Sequence, residues 1–215
     1  MLTIEEALKV IKDNLIDLDT SELTEWACDE YIFPYLKDMH CDFAAGATKF
    51  VFLFEDTDFV IKLPYRGTIY EDEFSEFCGG FCGSWDYCET EVNLYKAAKE
   101  AGLERCFAKT TEVGTLNGHP LYAQEKALIW GDIHDINDYS EQKKRSTRER
   151  CQSGDKYYYC FHPCWLSDFL DYYGEEMFDQ FMDFIEEYVI EDLHSSNLGY
   201  INGRPVVVDY SSFHN

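Results

Sequence analysis

The sequence predicts an α+β protein, on three observations. Residues 43–64 and 110–127 carry short aromatic or β-branched runs separated by turn residues, the pattern of antiparallel strands. Residues 3–16, 86–101 and the stretch from Trp165 to Val189 repeat apolar side chains at three-and-four spacing, the pattern of helices packed on one face. Near the C-terminus the turn pair Asn202-Gly203 is followed by the β-branched run Val206-Val207-Val208, which reads as a closing hairpin.

In chain order, Thr3 and Glu6 fit a capping box, and Ile4, Leu8, Ile11 and Leu15 form one apolar stripe behind it. A second helix is expected around Leu23, Trp26 and Ala27, ending before Pro34. Residues 50–54 and 59–64 read as a hairpin around the acidic turn 55–58, with Lys62 on its second strand. The helix over 86–101 ends at Gly102 and places Cys88, Glu91, Tyr95 and Ala98 on one face. Glu91 thus falls inside a stripe that otherwise looks buried, where a carboxylate needs a partner. Residues 110–114 and 121–127 are two further strands joined through Asn117-Gly118. Beyond them Met177, Phe181, Ile185, Tyr188 and Val189 mark the buried face of a helix leading to Asp192. The organisation expected is a helical extension over 1–40, a sheet region over 41–127 and a mostly helical region over 128–215.

A chain of 215 residues with 17% aromatics can bury a substantial core. Its 42 acidic against 18 basic residues give a net charge of −24, which repels nucleic-acid backbones and anionic membranes, so neither is expected as a partner. Any phosphate site must be locally basic. Lys143, Lys144, Arg145, Arg148 and Arg150 form a basic run that reads as a solvated face or as the place to meet an acidic protein partner. The first residues lack a basic segment followed by an apolar one, and no run of about 18 apolar residues occurs, so a cytoplasmic location is expected. Nine cysteines, an odd number, read as reduced thiols. A zinc site built from Cys78, Cys82 and Cys88, with help from Cys160, His162 and Cys164, is the competing reading.

The residues richest in chemistry lie at the C-terminal end. In Asp192-Leu193-His194-Ser195-Ser196-Asn197, Asp192 is placed to accept a hydroxyl proton, and Asn197 with the later Asp209 offers hard oxygen ligands for Mg²⁺. Read plainly, the same stretch is a β-hairpin with Asp192 at a helix end. Its wording resembles the protein-kinase-like superfamily, nearest to small phage or bacterial kinase-like proteins and aminoglycoside-phosphotransferase-type kinases.

That resemblance, spanning roughly 43–215, implies a minimal two-lobed fold: an antiparallel-sheet small lobe and a short, mostly helical large lobe. It implies ATP and Mg²⁺ as cofactors. Gly46 and Thr48 would lie in the loop over the phosphates, Lys62 would grip them and Glu91 would pair with Lys62, with Glu89 as the runner-up. Gln124 would be the gatekeeper, and Glu125 and Ala127 would belong to the hinge that meets adenine. Asp192 and Lys62 would be catalytic, and Asn197 and Asp209 would hold the metal. Four features depart from the family pattern: the loop has one glycine, Ile190 stands where a His is usual, Asp209 is followed by Tyr210-Ser211, and no activation segment follows. The implied function is ATP-dependent phosphoryl transfer to a protein or small-molecule hydroxyl. The alternative is a kinase-like binding or regulatory module acting through a protein partner.

Overall fold

The capping box at Thr3 forms as the sequence predicts. In the computed structural model Thr3 Oγ1 accepts from the Glu6 N–H at 3.3 Å, and the Glu6 carboxylate accepts from the Thr3 N–H at 2.8 Å. The structure describes residues 2–20, 23, 28, 31–46, 48–65, 86–133, 163–190 and 193–211. These fall into two units, one holding the described residues up to Val92 together with Thr110–Lys126, the other Asn93–Lys109 and the described residues from Ala127 onward.

In the first unit, α1 (Ile4–Asn14) buries Ala7, Leu8 and Ile11. The helix expected around residues 23–27 lies mostly outside the described residues. Pro34 stands in the first turn of the short α2 (Phe33–Leu36), where its missing N–H costs nothing. Three strands follow: β1 (Cys41–Ala45), β2 (Lys49–Phe54) and β3 (Phe59–Pro64). After α3 (Tyr87–Glu100) come β4 (Thr110–Leu116) and β5 (His119–Glu125). All five strands join one antiparallel sheet in the order β1-β2-β3-β5-β4. Asn117 and Gly118, with φ of 49° and 82°, make the tight turn between β4 and β5, and Asn117 Nδ2 donates to the carbonyls of Leu15 and Leu18 just past α1.

Side chains alternate across this sheet, so its two faces differ. Phe50, Phe52 and Phe54 of β2 share one face with Phe59, Ile61 and Leu63 of β3 and with Leu121 and Ala123 of β5; with Ala7, Leu8 and Ile11 they form one apolar core. The expected N-terminal extension is therefore part of the same unit as the sheet. The register pairs Val51 with Lys62, and Lys62 with Tyr122, which puts Lys49, Lys62, Tyr122 and Gln124 on the other face.

The second unit contains the later turns of α3, the strand β6 (Leu128–Ile129), the short α4 (Trp130–Ile133), α5 (Pro163–Tyr173), α6 (Glu175–Glu187), β7 (Leu198–Ile201) and β8 (Arg204–Val207). β6, β7 and β8 form a small antiparallel sheet in that order. Gly199 is required where β7 passes β6, since a Cβ there would stand 2.6 Å from the Leu128 carbonyl oxygen. Phe107, Trp165, Phe169, Phe181 and Phe184 lead the buried cluster, with Phe169 and Phe181 at 4.4 Å between centroids. α3 ends at Gly102 as expected, in a left-handed turn with the Leu103 N–H donating to the Ala98 carbonyl.

α6 ends in the same motif with a less suitable residue. Phe181 and Ile185 are buried as the helical stripe predicts, and Met177 and Tyr188 are half-buried, but Val189 is 43% exposed. It has left the helix: its N–H donates to Glu186, the Ile190 N–H donates to Ile185, and its φ is 51°. A β-branched residue in the left-handed region carries roughly 1–2 kcal/mol of backbone strain. Among the described residues, no helix is long and apolar enough to cross a membrane.

Val189→Gly is expected to raise the unfolding free energy by about 1 kcal/mol in urea titration, because glycine meets the left-handed turn without that strain and little apolar surface is lost.

Candidate functional site

The polar face of the large sheet is built around one carboxylate. Glu91, in the first half of α3, has no exposed surface. Lys62 Nζ donates to its two oxygens at 3.0 and 2.8 Å, and Lys49 Nζ donates to Oε1 at 2.6 Å. Thr110 Oγ1 donates to Oε2 at 3.1 Å and Gln124 Nε2 at 3.3 Å, and Gln124 also donates to Thr110 Oγ1 at 2.8 Å. Lys62 and Glu91, expected to pair, therefore do so, and Glu89 is not the partner. Both lysines are buried at 3% exposure. Removing such charges from water costs several kcal/mol per ion, so the cluster stands only because each carboxylate oxygen has more than one donor.

The position of Glu91 is fixed from the start of its helix. Asp86 Oδ1 accepts from the N–H groups of Cys88 and Glu89 at 2.9 and 3.0 Å, an N-cap, and its Oδ2 accepts from the Tyr122 hydroxyl at 2.6 Å. Tyr122 is the residue opposite Lys62 in the ladder. One carboxylate thus ties the helix that carries Glu91 to the strand beside the lysine that meets it. Burial of the Tyr122 ring, followed by its bond to Asp86, pushes the phenol well above its ordinary range. Burial likewise raises the Cys88 thiol, opposed by the charges of Lys49 and Lys62 and reinforced by those of Glu91 and Asp86.

The remaining expected residues are placed as follows. Gly46 is exposed in the connection between β1 and β2, where its N–H donates to the Lys49 carbonyl at 3.1 Å. A Cβ at Gly46 would meet nothing within 4 Å, so the fold itself does not demand a glycine there. Thr48 is half-buried and its carbonyl accepts from the Tyr65 N–H at 2.9 Å. Glu125 ends β5, half-buried, in the first unit, while Ala127, also half-buried, belongs to the second; Lys126 between them donates its N–H to the Asp58 carbonyl at 2.8 Å.

In the second unit, Asp192 lies outside the described residues, as do Glu191, Cys78, Cys82, Cys160, His162 and the basic run 143–150. Asn197 closes a single 3₁₀ turn, Ser195–Asn197, and is buried. Its backbone carbonyl accepts from the N–H groups of Val208 at 2.8 Å and Asp209 at 3.4 Å, so the two expected metal ligands sit on strand ends tied to each other. The half-buried Asp209 accepts from Ser211 Oγ at 3.1 Å. An amide and a carboxylate on adjoining segments are a donor set that suits Mg²⁺, which takes one or two protein oxygens and completes its shell with phosphate and water. His194 is exposed, and its Nδ1 accepts from the Ser196 N–H at 3.2 Å.

For the zinc reading, Cys88 and Cys164 are buried, form no disulfide and lie in different units. Among the described residues no group of three His, Cys, Asp or Glu side chains is placed to hold a metal. The chain matches no protein-family model and no curated protein.

Lys49, Thr110, Asp86 and Tyr122 were not expected in the cluster. Lys49 had a signal: if Phe50, Phe52 and Phe54 face the core, period-2 alternation sends Lys49 to the face that Lys62 occupies. Asp86→Ala is expected to cost about 1–2 kcal/mol in urea unfolding through loss of the cap and of the Tyr122 partner, with Asp86→Asn costing less than half of that.

Proposed function

We propose that this chain is an ATP-dependent phosphotransferase of the protein-kinase-like kind, acting on a protein or small-molecule hydroxyl. The observation that carries the reading is the fully buried Lys62–Glu91 pair on a five-stranded antiparallel sheet, because a carboxylate that fixes a strand lysine is what a phosphate-gripping ammonium needs. The tied segments of Asn197 and Asp209 add the oxygen donors for Mg²⁺. When bound, the metal would neutralise charge on the phosphate oxygens.

The chain's own residues then have distinct tasks. Lys62 holds phosphate oxygens, and Glu91 orients Lys62. The connection carrying Gly46 and Thr48 lies over the phosphates, and the missing side chain at Gly46 lets them approach the backbone. Asp192 accepts the proton of the acceptor hydroxyl as that oxygen attacks the γ-phosphorus and the ADP oxygen leaves. Asn197 and Asp209 supply the metal's protein ligands. Positioning and charge complementarity provide most of the rate.

Calorimetric titration with a non-hydrolysable ATP analogue tests this. Wild type is expected to bind it in a Mg²⁺-dependent manner, with Lys62→Met and Asp209→Ala each weakening binding at least about tenfold while retaining cooperative unfolding. Absence of binding by wild type would instead favour the binding-module reading. Gly46→Ala is expected to leave the thermal midpoint unchanged, since the Cβ meets nothing in the protein, yet to weaken the analogue measurably if phosphate oxygens approach that backbone. Asp192→Ala is expected to bind the analogue normally and to abolish transfer from labelled ATP; equal transfer by wild type and mutant would exclude catalysis through this residue.

A further inference from the structure

Glu91 has two lysines where a strand–helix ion pair needs one. Lys62, on the central strand β3, reaches both oxygens, at 3.0 and 2.8 Å. Each of those contacts is duplicated: Lys49 also holds Oε1, at 2.6 Å, while Thr110 and Gln124 also hold Oε2, at 3.1 and 3.3 Å. If Lys62 turned away, both oxygens would keep donors and the carboxylate would keep a cation. If Lys49 were missing, Lys62 would be the cation left among these donors, because Thr110 and Gln124 are neutral. A carboxylate with no exposed surface does not tolerate loss of its cation without protonation or a large penalty.

We propose that Lys49 is the standing counter-ion of Glu91, and that its presence releases Lys62 to bind an incoming polyphosphate. Lys49 acts through Glu91 and is a positioning residue. The identity of the polyphosphate as Mg·ATP rests on the phosphotransferase reading, whereas the exchange of partners at Glu91 does not. It also gives Lys49, at the first position of β2, a chemical reason to stand on the lysine face of the sheet.

The test uses the full-length chain as wild type, Lys49→Met, Lys49→Arg, Lys62→Met, the double mutant Lys49→Met/Lys62→Met, that double mutant with Glu91→Gln added, and Lys49→Met/Glu91→Gln, titrated with Mg·ATP analogue and with inorganic tripolyphosphate. Each single lysine variant is expected to lower the thermal midpoint by roughly 5 °C or less, because the other lysine still neutralises Glu91. The double mutant is expected to lose far more than the sum or to fail to fold, and adding Glu91→Gln to it is expected to restore folding. Lys62→Met should weaken polyphosphate binding about tenfold, and Lys49→Met should do so too, because Lys62 is then committed to Glu91. The decisive variants are Lys49→Arg, which keeps the cation and should bind within about threefold of wild type, and Lys49→Met/Glu91→Gln, in which no carboxylate charge holds Lys62: its affinity should rise severalfold above that of Lys49→Met while staying below wild type, because the group that orients Lys62 is weakened.

Failure of Lys49→Met/Glu91→Gln to regain affinity would mean that Lys49 touches the ligand itself, and would overturn the proposal. Wild-type affinity in Lys49→Met would overturn it as well. If wild type binds no ATP analogue, the phosphotransferase reading falls and tripolyphosphate decides the inference. Lys62-dependent binding that is lost in Lys49→Met and partly regained in Lys49→Met/Glu91→Gln sustains it, and any other pattern removes it.

Discussion

The constraint on which the first unit depends is a carboxylate with no access to water. Glu91 cannot be left alone, so everything around it is arranged to meet it: two lysines from adjacent strands, a threonine from β4 and a glutamine from β5. A cluster of this kind is an expensive way to fasten a helix to a sheet, since apolar side chains of similar size would hold it at least as well. What it provides is direction. An ammonium held by two bonds to a fixed carboxylate points one way, and under the proposed function that orientation prepares Lys62 for a phosphate oxygen.

The opposite face of the same sheet does the ordinary work of folding. Phenylalanines at alternate positions of β2, with Ile61 and Leu63 from β3, are covered by α1, so the sheet is stiffened from behind by dispersion and area burial. The polar face can then carry charge without the sheet losing its register. Asp86 and Tyr122 complete the frame from the helix side, setting where along β5 the helix begins.

The second unit solves a related problem with backbone rather than ions. Its aromatic cluster, from Phe107 to Tyr210, supports a small sheet whose last strand leads into Asp209. The Asn197 carbonyl receives the N–H groups at the start of that exit, fixing the amide-bearing and carboxylate-bearing segments to each other. Val189 shows strain tolerated on the way: α6 must turn sharply before the Asp192 segment, and a valine makes the turn that glycine makes after α3. The buried Ile190 and Ile185 on either side of the turn anchor it.

The sequence alone determined what local chemistry determines. The Thr3 capping box, the helix ending at Gly102, the Asn-Gly hairpins and the alternating strands followed from backbone preferences and apolar period, which act over a few residues. Glu91 was legible as a carboxylate in need of a partner, because one charge in an apolar stripe is conspicuous, and Lys62 was named as that partner by the kinase-like resemblance. Only the tertiary structure decided the rest. That Lys49 joins Lys62, that Tyr122 reaches back 36 residues to Asp86, and that Val189 leaves its helix for solvent all depend on strand register or on a chain reversal. The division of α3 between the two units belongs with them. Register and packing are set by the sum of many distant contacts, and no short window of sequence contains that sum.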